Sequence, residues 1–107
     1  MGQDNNPIFS TFADDPEMFE LIGLFIVELP DRIETIRQAA QQGENDALKR
    51  IAHQLRGAAP SYGFSAIGEA AGRVESTLQQ GVGLDQLPDA VDELIALCER
   101  ATDARAA

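Results

Sequence analysis

From Phe19 onward, apolar residues recur at three- and four-residue intervals: Phe19, Ile22, Phe25, Ile26, Leu29, Ile33 and Ile36. That spacing forms one face of an amphipathic helix. It predicts a first helix that starts at Asp15-Pro16, a capping carboxylate before a proline that gives up no hydrogen bond at N1, and runs towards Gln42, with Gly43 ending it. Pro30 lies inside, so a kink or a break is expected there, with Asp31 restarting the helix. A second stripe of Leu48, Ile51, Ala52, Leu55, Ala58, Ala59 and Tyr62 predicts a helix from near Asn45 to Gly63, a natural left-handed stop, with Pro60 in its last turn. A third helix is expected from Ser65 to Gln80, burying Ile67, Ala70, Ala71, Val74 and Leu78, with Gly68 and Gly72 permitting close approach. After Gly81-Val82-Gly83 a fourth begins around Asp85 to Pro88 and buries Val91, Leu94, Ile95, Cys98 and Ala101. Four helices with short connections predict an all-α, antiparallel four-helix bundle. Ile8, Phe9 and Phe12 lie in an N-terminal segment, residues 1–14, expected to cap the bundle or form a short extra helix; the Ala-rich tail after Thr102 is expected to fray.

Composition narrows this picture without changing it. A chain of 107 residues suits one domain, 1–107, with its core over about 15–104. Many alanines and no tryptophan favour small-residue helix packing over a sheet core. The formal net charge of −10 opposes nucleic acid and anionic membrane, which points to protein partners. The single Cys98 excludes an internal disulfide and reads as a core thiol. Asp4, Asp14 and Asp15 stand where a signal peptide would carry positive charge, and the apolar run Leu21 to Val27 is far too short to span a membrane. A soluble, cytoplasmic protein is expected. One His and one Cys make a poor transition-metal set, and no GxxxxGK[ST] motif is present, so neither a metal nor a cofactor is expected and direct phosphorylation from ATP is not. Ser61 and Ser65 flank Gly63 without a nucleophile elbow.

The chemistry concentrates on the only histidine, His53. On a helix it falls roughly 155° from the centre of the second stripe, so it is not there to fill the core. Lys49 and Arg56, at i−4 and i+3, flank it on the same face, and Gly57 at i+4 clears space above the ring. An exposed glycine within a helix costs about 1 kcal/mol relative to alanine, which argues for a close contact at that point. Neutral imidazole is a competent nucleophile near pH 7.

The run His53-Gln54-Leu55-Arg56-Gly57, followed by alanines and Gly63, resembles the H-x-L-[KR]-G signature of histidine-containing phosphotransfer (HPt) domains. Phe25-Ile26-Val27-Glu28-Leu29-Pro30 with Ile33, Ile36 and Ala39 is similar to the first long helix of that family, proline included, and the resemblance extends from about Pro16 to Leu97. It implies a phosphorelay carrier: His53 takes a phosphoryl group from a receiver-domain aspartate, or through a histidine kinase relay, and passes it to another receiver aspartate. Arg56 stands where the family usually has lysine and would support the phosphoryl group, as would Lys49. By the family's arrangement Glu75, on the third helix, faces and orients the imidazole. Gly57 would admit the receiver's loops, and Arg50, Gln54, Pro60 and Phe64 would complete a docking rim. Implied partners are response-regulator receivers, with a hybrid sensor histidine kinase as a further candidate, met by a monomer. The competing reading is a phosphorylation-independent helical adaptor that sequesters receivers; the retained histidine and its neighbours favour the carrier.

Overall fold

The computed structural model describes residues 6–104. Four helices account for most of it: α1 (Phe19–Gln41), α2 (Asn45–Ser61), α3 (Ser65–Gln80) and α4 (Leu87–Arg100), with a 3₁₀ turn at Leu84–Gln86 leading into α4. Their apolar stripes meet in one core that includes Ile22, Phe25, Leu29 and Ile36 of α1, Leu48, Ala52 and Leu55 of α2, Ile67, Ala71 and Val74 of α3, and Leu94 and Cys98 of α4. The expected four-helix arrangement is therefore present, with α3 spanning the expected residues. Gly43 and Gly63 both adopt positive φ where their helices stop.

Three local features depart from expectation. Asp15 does accept a capping hydrogen bond, from the Glu17 amide at 3.0 Å. The next amides, however, bond three residues back, Met18 to Asp15 and Phe19 to Pro16, so a turn precedes the regular helix, which begins at Phe19. Phe19, at that open end, is half exposed rather than buried. Of the kink or break expected at Pro30, the break does not occur: α1 is continuous across it, with no restart at Asp31. Pro30 itself faces solvent, while Leu29 and Ile33 on either side are locked into the core, so packing overrides the lost hydrogen bond.

The N-terminal segment is an extended strap, not a helix. Ile8–Phe9 (β1) pairs in parallel with Ala101–Thr102 (β2), Ile8 opposite Ala101 and Phe9 opposite Thr102. Ala101 is accordingly half-buried in this pairing instead of lying in the α4 core. Beyond β1, the buried Ser10 hydroxyl donates to the Tyr62 carbonyl at 2.6 Å, and the Thr11 amide donates to the Gly63 carbonyl at 3.1 Å. A Cβ on Gly63 would fall 2.8 Å from the Thr11 nitrogen and closer still to the Ser10 hydroxyl, at a φ of +87°. Glycine is therefore demanded there twice, by conformation and by space. Residues 1–5 of the expected cap and the end of the expected fraying tail, 105–107, lie outside the described residues. No described helix is long and apolar enough to cross a membrane.

Phe64 corrects one site expectation. The sequence places it in a docking rim, yet it is 1% exposed. The left-handed turn at Gly63 reverses the chain and directs Phe64 inward, where its ring stacks on Phe25 with centroids 5.5 Å apart. Phe25 stacks in turn on Tyr62 at 5.0 Å, so one α1 side chain anchors the α2–α3 connection.

Burial also controls Cys98. Desolvation, with a smaller contribution from neighbouring Glu99, pushes its thiol up to about 12 despite the opposing effect of Arg32. At pH 8 the native thiol should react with an aromatic disulfide reagent on the order of a thousandfold more slowly than the unfolded chain. A denaturant series with timed absorbance readings checks this; fast labelling in buffer alone would mean that α4 opens locally.

Candidate functional site

The site arises where α2 and α3 run antiparallel at close range. Gly68 supplies the first gap: a Cβ there would sit 2.6 Å from Cγ of Pro60, so the proline ring packs directly on the α3 backbone. One helical turn further along, a Cβ on Gly72 would lie 3.4 Å from Cδ and 3.6 Å from Cγ of Arg56. The next residues in this register are His53 on α2 and Glu75 on α3. Their side chains meet, with His53 Nδ1 2.6 Å from Glu75 Oε2.

The two partners occupy opposite environments. The His53 side chain is 64% exposed, whereas that of Glu75 is 4% exposed. A ring nitrogen this close to a carboxylate oxygen carries the proton, so Nδ1–H donates and the lone pair resides on Nε2. No protein group among the described residues hydrogen-bonds Nε2. The carboxylate thus orients the ring and leaves Nε2 open, while being fixed itself by burial.

The other carboxylate oxygen, Oε1, lies 2.8 Å from an Arg56 guanidinium nitrogen. That separation is an ion-pair distance, yet no guanidinium N–H is aimed at the oxygen, which is buried with an unfilled hydrogen-bonding position. The contact is Coulombic rather than a directed hydrogen bond, and the Arg56 side chain is 54% exposed. The structure therefore brings His53, Glu75 and Arg56 together. The pairing of Arg56 with Glu75 is the part that sequence reasoning missed; only the register of α2 against α3 reveals it.

The remaining expected residues surround this group without entering it. Lys49 is half-buried one turn before His53, and Arg50, Gln54, Gly57 and Pro60 are exposed on α2. A Cβ on Gly57 would meet nothing within 4 Å, so the surface above His53 is open. A groove of about 900 Å³ between α3 and α4, lined by Arg56, Gly72, Arg73 and Glu93 among others, adjoins the site.

The family model of the Hpt domain matches residues 20–104. No curated protein and no solved structure matches the chain.

A buried carboxylate with an unfilled lone pair is a poor contributor to stability, and both its partners reach water when it is removed. Glu75→Met should therefore leave stability unchanged or raise it by up to about 1 kcal/mol, measured by urea denaturation. A loss larger than that would show that the carboxylate holds the bundle together rather than serving the histidine.

Proposed function

The chain belongs to the Hpt domain family, and from that premise we propose that His53 carries a phosphoryl group between aspartates of two receiver domains, the donor being a free receiver or one attached to a hybrid sensor histidine kinase. Family membership supplies the general role in a histidine-to-aspartate phosphorelay. The observation that carries the finer reading is the contact between His53 Nδ1 and the buried Glu75 carboxylate. It supports Nε2 as the attacking atom.

In this reading the Nε2 lone pair attacks phosphorus of the receiver's aspartyl phosphate. The N–P bond forms as the bond between phosphorus and the aspartyl oxygen breaks, and the aspartate leaves as a carboxylate. The ring becomes a phosphorylated imidazolium that keeps its Nδ1 proton, and Glu75 offsets the new positive charge in the way a triad carboxylate steadies its histidine. Transfer onward reverses the same steps. Arg56, half exposed beside Glu75, supports the phosphoryl oxygens together with Lys49. The receiver contributes most of the remaining apparatus, docking on Arg50, Gln54, Gly57 and Pro60 of a monomeric carrier.

Incubation with a panel of phosphorylated receivers tests the reading, with His53→Gln as the control. Acid-labile label on the parent that disappears in His53→Gln is expected; tight receiver binding with no label would favour the sequestering adaptor instead.

Gly57 gives a second test, because stability and transfer should move in opposite directions. Its open surroundings and helical backbone mean that Gly57→Leu should raise stability by about 0.5–1 kcal/mol. Transfer should nevertheless fall at least about tenfold, since the new side chain occupies the approach to His53. Unchanged transfer in a stabilised variant would place the receiver elsewhere.

A further inference from the structure

We infer that Gly72 is a positioning residue for the phosphotransfer site: the missing side chain on α3 is the slot in which the Arg56 stem lies, and that slot sets where the guanidinium is held. The inference rests on the proposed role of His53 for its functional consequence but on geometry for its substance.

Three observations converge. The only atoms a Cβ on Gly72 would approach within 4 Å are Cδ and Cγ of Arg56. Gly72 is thus unlike Gly68, whose gap is filled by the Pro60 ring and by the Arg56 carbonyl, and which serves backbone packing. The stem so placed ends with its guanidinium 2.8 Å from Glu75 Oε1, on the carboxylate whose other oxygen holds His53. Finally, Gly72 lies mid-helix with a negative φ, so neither a turn nor a left-handed backbone requires glycine. Relative to alanine, a glycine there costs the helix about 1 kcal/mol. What limits the size of a side chain there is the Arg56 stem, which a first carbon would already touch.

The distances predict a graded response. At 3.4 Å and 3.6 Å a methyl group makes ordinary contact, so Gly72→Ala leaves Arg56 in place. The two branches of valine extend into the volume of the stem, so Gly72→Val expels it. Glu75 then keeps His53 but loses its cation, and the cation leaves the phosphoryl site.

Two measurements on the full chain decide the matter. The first is the heteronuclear NOE of the Arg56 Nε–Hε group, a readout that helix packing alone does not move and that is independent of any phosphorelay. It should be high in the parent and in Gly72→Ala and fall to the value of a freely mobile arginine in Gly72→Val. The second is the rate of phosphoryl transfer from a receiver. Gly72→Val and Arg56→Ala should each slow it about tenfold, and the combined variant should be no slower than either alone. An NOE unchanged in Gly72→Val, or losses that multiply in the combined variant, overturns the inference. If Gly72→Val does not fold while the combined variant does, the clash with the Arg56 stem is demonstrated directly; if neither folds, Gly72 serves packing and the inference fails. Should the parent take no phosphoryl group at all, the proposed function falls and the NOE still rules on Gly72.

Discussion

The close approach of α2 and α3 is the constraint from which the site follows. Packed helices lie about 8–10 Å apart depending on the side chains at the contact, and small residues permit the closer separations. Here Pro60 sits on Gly68 and the Arg56 stem lies along Gly72, so Glu75 in the same register reaches the histidine from a buried position. A side chain at position 68 would lever the two backbones apart, because its first carbon would already overlap the Pro60 ring. The other elements defend this pair. Phe25 of α1 stacks on Tyr62 and Phe64 at the α2–α3 connection, and the strap fastens Ser10 and Thr11 to the same connection from outside.

Several local choices here run against stability. A carboxylate is buried with one hydrogen-bonding position unfilled, and glycines 57 and 72 occupy helix interiors that alanine would suit better. Each concession lies within a turn or so of His53 along the shared register. The core beneath is conventional, with Leu48, Leu55, Ile67 and Leu94 fully buried, and can support such losses.

Much of the fold was legible because helical periodicity is a strong signal when stripes are this regular. The bounds of α3 and the stop at Gly63 follow from pattern and turn chemistry alone. Expectation gave way where tertiary packing outweighed a local rule: α1 does not break at Pro30, whose neighbours are buried, and Phe64 is turned inward by the chain reversal before it. His53 announced itself as a polar residue opposite an apolar stripe. Glu75 did not, since it adjoins the α3 stripe and reads equally as a solvated acid; resemblance to a family, not spacing, singled it out. The pairing of Arg56 with Glu75 was beyond reach, because an antiparallel register between two helices is a three-dimensional fact.

Charge distribution extends the argument from the site to its encounters. The chain carries −10 overall, yet three of its eight Lys and Arg residues, Lys49, Arg50 and Arg56, fall within two turns around His53. At physiological ionic strength charges more than about 8 Å away are screened, so a partner approaching His53 meets this local cluster rather than the net charge. Arg56 is the member whose influence depends on the state of the site, because Glu75 offsets it while the histidine is bare. A phosphoryl group on Nε2 would bring more negative charge than one carboxylate. For the role proposed for Arg56 the loose pairing with Glu75 would matter: a bidentate pair would have to be broken before the guanidinium could reach a phosphoryl group, whereas here no directed hydrogen bond ties it to Oε1.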